Sequence, residues 1–251
     1  MLELQGTGVL LGRAMRLSLR NVDGLITALA LPVMLMVMFV YLFGGAIEPG
    51  GSYVNYVVPG VVLVCLGFGA ATTAVTVAQD MRTGIIDRFR SMDLRGETLI
   101  NSHVIASVAR NLVSAILVVL VALAIGFRSS ADIARWSGAA GILALYALAM
   151  SWFAAAVGVA VRSAEAANGV TFLVSFLPYP SSAFVPVSTM PSWLQGFARS
   201  QPATAVIDTV RGLTTGHAVG AAAWHAIVWS LGILIVSVVL TGVFYRRRRS
   251  A

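Results

Sequence analysis

The chain has 251 residues, 58% of them hydrophobic and 11% charged, against about 25% charged residues in soluble domains. A soluble protein of this length needs charge to cover its surface, so this composition excludes one and turns most of the surface toward lipid. The net charge of +7 comes from 17 arginines with no lysine, which in a membrane protein reflects topology and anionic headgroups rather than nucleic-acid binding.

In chain order, residues 1–23 read as an amphipathic helix lying on the cytosolic leaflet. Arg13, Arg16 and Arg20 recur at i, i+3 and i+7, while Leu11, Met15, Leu19 and Val22 fall on the opposite face. The apolar run behind them is too long for a signal-peptide core, and no small-residue cleavage motif follows it. Charge-free windows then hold the ~20 apolar residues that cross a bilayer. They predict six spans, at Leu25–Phe43, Val57–Ala78, Val108–Phe127, Ser137–Val161, Ala167–Phe184 and Ala226–Tyr245. Arg110 falls near the inner end of the third span and is expected to snorkel to the interface, with no charge lying deep in the membrane. Cys65, the single cysteine, sits in an apolar run, so no intrachain disulfide can form.

Between the second and third spans, residues 79–102 form a charged segment predicted to begin with a cytosolic helix. Ile85, Phe89 and Met92 recur at i, i+4 and i+7 and give it one apolar stripe. Asp80, Arg82, Asp87, Arg88 and Arg90 surround that stripe, and Asp87 and Arg90 can pair across one turn. Alternating charge around an apolar stripe suits docking onto a partner at the membrane surface; the plainer alternative is a solvated loop helix.

Residues 185–216 are apolar but interrupted by Pro186, Pro191 and Pro202. Proline suits a first helical turn, so short helices are predicted over Pro191–Ala198 and Pro202–Leu213, with Asp208 and Arg211 as a local pair. Helices this short do not span; an extracellular re-entrant hairpin covered by protein fits them best. A basic tail, residues 246–251, ends the chain. With the N-terminus inside, thirteen of the 17 arginines fall on the cytosolic side. Only Arg128, Arg135, Arg199 and Arg211 remain outside, so both termini are expected in the cytosol.

The chemistry that is missing narrows the function. A nucleotide-binding Walker A loop needs a lysine to reach the phosphates, and this chain has none. His103, His217 and His225 are too scattered for a zinc site. Ser114, Ser151, Thr72, Thr73 and Thr76 are the kind of small hydroxyl residues that pack helices together. The expectation is an all-α polytopic membrane protein, one domain over residues 1–251, with no catalytic, cofactor or metal site of its own.

The run Asp80-Met81-Arg82-Thr83-Gly84-Ile85-Ile86-Asp87-Arg88-Phe89-Arg90 resembles the loop after the second span in type-2 ABC export permeases. It is most similar to the daunorubicin/doxorubicin-resistance (multidrug efflux) subgroup, although Met92-Asp93-Leu94 stands where that subgroup usually has a proline. Met190-Pro191-Ser192-Trp193-Leu194, Gln201-Pro202 and Val210-Arg211-Gly212-Leu213 resemble the extracellular re-entrant signature of the same family. The likeness covers nearly the whole chain. It implies a bacterial cell-membrane permease that exports hydrophobic or amphiphilic compounds, working with a separate cytosolic ABC ATPase that binds the ATP and magnesium. A second permease copy, identical or paralogous, would complete the pathway. Asp80, Arg82, Ile85, Asp87, Arg88, Phe89 and Arg90 would then form the ATPase-coupling interface, and Pro191, Trp193, Pro202, Asp208 and Arg211 would belong to the re-entrant segment. Substrate-contacting residues are not legible. The alternatives are export of a lipid or polyketide-lipid envelope component and, outside transport, a membrane scaffold or a membrane-embedded enzyme.

Overall fold

The computed structural model describes residues 22–47, 52–83 and 96–249. Apart from its last two residues, the amphipathic helix read over residues 1–23 lies outside these, as do Ile85, Asp87, Arg88, Phe89 and Arg90 of the coupling segment.

Among the described residues the chain is helical throughout. Helix α1 (Val22–Met38) runs on into a π-helical turn, Phe39–Phe43, and is followed by α2 (Tyr53–Arg82), α3 (Gly96–Ile125) and α4 (Ile133–Ala160). The remaining helices are α5 (Ala164–Ser175), α6 (Ser192–Ser200), α7 (Pro202–Thr215) and α8 (Ala222–Arg249). Four of them, α2, α3, α4 and α8, are long and apolar enough to cross a membrane. Each of the four outlasts its predicted span. The 30 residues of α2 make about 45 Å of helix, against a hydrocarbon core of about 30 Å.

Local chemistry sets several boundaries. The Asp132 side chain accepts from Arg135 N at 2.8 Å and caps α4. Ser163 does the same for α5 through Ala166 N at 3.1 Å. Pro202 opens α7, and Gly216, with φ 79°, closes it in the left-handed conformation that glycine adopts without strain. The predicted fifth span, Ala167–Phe184, is only partly helical: α5 stops at Ser175 and the chain continues in turns. Pro178 and Pro180 explain the stop, because neither has an N–H to offer a continuing helix. The two predicted short helices are present as α6 and α7, joined through Gln201 alone.

The bundle is built around α2, which packs against α1, α3, α4, α5 and α7. Of its most apolar window 78% is buried, against 17% for α8, which sits at the periphery on α4 and α7. Close approach comes from small residues, as expected where lipid supplies no hydrophobic drive between helices. A Cβ on Gly158 of α4 would lie 2.6 Å from the Ala74 carbonyl oxygen of α2, so this crossing requires glycine.

Candidate functional site

The two helix ends that flank the charged segment are tied together. Asp80, in the last turn of α2, and His103, in the second turn of α3, are both buried, with Asp80 Oδ2 and His103 Nε2 2.8 Å apart. Of the predicted coupling residues that the structure describes, Arg82 is exposed and Asp80 points inward. Residues 84–95 therefore join two long helices that are fastened to each other.

From His103 a polar seam climbs one face of α3. His103, Ser107, Arg110, Asn111 and Ser114 recur at helical spacing. Ser107 and Ser151 of α4 share a buried hydroxyl–hydroxyl bond of 2.9 Å. Arg110 departs from the sequence expectation. Because α3 begins at Gly96, well before the predicted span, Arg110 stands mid-helix. Its guanidinium reaches across to α2 instead of toward the interface, donating from Nη2 to the Gly69 carbonyl and to Thr73 Oγ1, each at 3.0 Å. A charge inside a bundle needs such partners. Asn111 beside it is fully buried, and neither amide atom has a hydrogen-bond partner among the described residues.

Asn111 rests on Gly69, where a Cβ would fall 1.8 Å from Asn111 Oδ1. Gly69→Ala is therefore expected to destabilise the protein by about 1–3 kcal/mol, the cost of overpacking. Asn111→Ala in the same chain removes the obstructing amide and should recover most of that loss. Gly158→Ala meets backbone, which cannot rotate away, so its cost should be larger and unaffected by Asn111→Ala. Unfolding of the purified variants in detergent checks the pattern; equal rescue of both glycine variants would contradict it.

At the other end of α2 a second polar group holds the proline-rich segment. Arg211 of α7 donates from Nη1 to Asp208 Oδ1 at 2.7 Å, from Nε to the Tyr56 carbonyl at 3.1 Å and from Nη2 to the Ser182 carbonyl. Its guanidinium carbon lies 3.8 Å from the Tyr56 ring centroid, a cation–π contact. The Ser182 hydroxyl donates to Asp208 Oδ1 at 2.6 Å. Alongside, Asn55 exchanges two bonds with the Arg128 backbone, at 3.0 and 2.9 Å, and the Tyr53 hydroxyl donates to the Phe184 carbonyl at 2.9 Å. The pairing of Asp208 with Arg211 was legible from their spacing; their anchorage to α2 and to residue 182 was not. Pro202 takes the first position of α7, Pro191 caps α6, and Trp193 is 79% exposed.

A row of aromatic rings runs along the α1–α5 side. Phe68 meets Phe172 at 6.5 Å between centroids, followed by Phe172–Phe176 at 4.8 Å, Phe176–Tyr179 at 5.0 Å and Tyr179–Phe184 at 5.3 Å. Phe184 stacks on Phe39 at 4.4 Å, and Phe39 meets Phe43 at 5.4 Å. Phe172 and Phe43 are 47% and 42% exposed, so part of the row stays open. On another side, α2, α3, α4 and α7 enclose an almost wholly apolar groove of about 550 Å³ that includes Val62, Val119, Phe127 and Trp136.

Residues 5–215 match the profile of the family described as ABC-2 type transporter. Over 223 residues the chain is 29% identical to the daunorubicin resistance ABC transporter permease protein DrrB1 of Streptomyces coeruleorubidus, covering 88% of this chain and 76% of that one. It is also similar to the probable doxorubicin resistance ABC transporter permease protein DrrC of Mycobacterium tuberculosis, at 22% identity over 230 residues, 91% of this chain and 83% of that one.

Proposed function

This chain belongs to the ABC-2 type transporter family, and from that premise we propose that it is the permease subunit of an ABC exporter for hydrophobic and amphiphilic compounds of the drug class. The observation that carries the drug reading is the row of rings from Phe68 to Phe43. An edge or face contact between aromatic groups adds about 0.5–1.5 kcal/mol beyond area burial, and a continuous row offers such contacts at successive depths. The relatives are named for resistance to daunorubicin and doxorubicin, which is consistent with cargo of this class.

In this reading the chain crosses the membrane six times, α1 and α5 with its following turns completing the four long spans, and both termini are cytosolic. Helices α6 and α7 form a re-entrant hairpin at the outer face. Two permease copies enclose the pathway, and each docks on a cytosolic ATPase that holds the ATP and magnesium. The segment 79–102 receives the ATPase movement and passes it to α2 and α3 through Asp80 and His103. Free energy enters through the partner; this chain converts it by binding cargo differently in its two states.

A second reading, export of a lipid or polyketide-lipid, is favoured by the apolar groove of about 550 Å³, whose lining suits an acyl chain. Inverted vesicles carrying this chain and its ATPase decide between them. ATP-dependent uptake of aromatic amphiphiles, weakened by Phe172→Ala, is expected. Uptake confined to lipids, with Phe172→Ala silent, would overturn the drug reading. Orientation has its own measurement. In a Cys65→Ala background, cysteines at Ser130 and Ser192 should react with an impermeant thiol reagent from outside, and one at Thr83 should not.

A further inference from the structure

The C-terminal arginine run and one cavity have no role in the reading above, and they adjoin. A groove of about 360 Å³ lies between the beginning of α3, the second half of α4 and the end of α8, lined by Ile100, Asn101, Trp152, Thr241, Gly242 and Tyr245 among others. Its walls are largely apolar, with the rings of Trp152 and Tyr245 and the polar groups of Thr241 and Asn101, the last exposed. Thr241, Gly242 and Tyr245 lie on one helix face, and α8 carries that face a further turn into Arg246–Arg249 before it ends. A largely apolar slot thus lies next to Arg246 and Arg247, both exposed, at the end of the bundle where α2 also stops.

We propose that this groove is a binding site for an acidic phospholipid, with one acyl chain held between α3, α4 and α8 and the headgroup phosphate held by Arg246 and Arg247. Charge complementarity selects the occupant. Guanidinium groups bind phosphate oxygens by charge-assisted, often bidentate hydrogen bonds, and basic pockets between helices at the cytoplasmic surface suit such headgroups. Aromatic side chains with a polar tip, as on Trp152 and Tyr245, settle at the headgroup boundary. Placing the lipid in the cytosolic leaflet rests on the orientation read above; the binding itself does not. The site also borders Ile100 and Asn101, at the end of the coupling segment, so the lipid would sit against the part of α3 that receives the ATPase movement.

The competing account is that the arginines attract anionic lipid only as a diffuse field, with no seat. Gly242 separates the two, because a side chain added there meets open space and fills the groove while every arginine remains. The protein is reconstituted in equimolar phosphatidylglycerol and phosphatidylcholine, extracted gently, and its retained lipid weighed by native mass spectrometry. The parent should retain phosphatidylglycerol over phosphatidylcholine by at least about fivefold, the scale of one basic residue near a charged lipid. Gly242→Leu and, as a second filling variant, Val238→Trp should lose the retained lipid while unfolding at the parent's temperature. Arg246→Gln with Arg247→Gln should keep a lipid but lose the headgroup preference. Excess inorganic phosphate should not displace it, since the chain holds it as well as the headgroup. Retention unchanged in both filling variants, equal retention of the two lipids by the parent, or full displacement by phosphate overturns the proposal. Because the readout is binding after extraction, a reversed topology would appear in the thiol-labelling experiment and leave this result standing.

Discussion

Arg211→Met should loosen the end of the bundle where α7 meets the start of α2. The change removes three donated hydrogen bonds and the contact with Tyr56. Bonds to a charged group are worth about 1.5–3 kcal/mol each. The Arg211 side chain keeps 16% of its accessible surface, so screening lowers the total to about 3–5 kcal/mol. Asp208→Asn should cost far less, about 1 kcal/mol, because that carboxylate is 41% exposed and the amide still accepts from Ser182 and Arg211. Thermal unfolding of the two variants checks the order, and cysteine accessibility at Ser192 reports whether α7, with α6 attached to it, comes away from α2. Equal costs would mean that Arg211 is only a surface charge paired to its neighbour.

Asp87→Ala and Arg90→Ala should leave insertion and folding intact while co-purification with the ATPase falls sharply. If the 79–102 segment docks, these charges sit at a partly desolvated interface, where truncating one partner costs about 2–5 kcal/mol. Were they exposed instead, the cost would be about 0–1 kcal/mol, and assembly would hardly change. Phe89→Ala should act the same way by removing the apolar anchor of the stripe. Arg128→Ala is the control, since it lies at the opposite end of the bundle on the orientation proposed here. Normal assembly and transport in all three cytosolic variants would reduce the segment to a loop and leave the Asp80–His103 contact with a purely structural role.

Periodicity and charge located the long helices well, because an apolar run free of charge for about 20 residues has few other solutions. What they could not locate was where each helix begins. The third span was read as Val108–Phe127, whereas α3 starts at Gly96, and His103 and Ser107 in its first half contact Asp80 of α2 and Ser151 of α4. That difference turned a flanking arginine into a half-buried one at mid-helix. Asp80–His103 and Ser107–Ser151 are contacts between separate helices, 23 and 44 residues apart, and nothing local in the sequence marks them. Over Ala167–Phe184 the helix stops early for a reason that was visible: Pro178 and Pro180 stand inside that stretch, and hydropathy alone does not register them. In the proline-rich segment the opposite held, since Pro191 and Pro202 announced both short helices.

Pro59 is the seventh residue of α2, and it gives the long helix a mechanical property. Without an N–H it leaves the Asn55 carbonyl without its rung, so the backbone ladder is one bond short at that level. Beyond it, Tyr53, Asn55 and Tyr56 are gripped by Phe184, Arg128 and Arg211. Below it, about 35 Å of uninterrupted helix runs to Arg82. The helix is then a lever whose fulcrum lies near one surface and whose long arm carries Gly69, Thr73 and Asp80. A swing of about 5° about Pro59 displaces the Asp80 end by about 3 Å, roughly the length of a hydrogen bond.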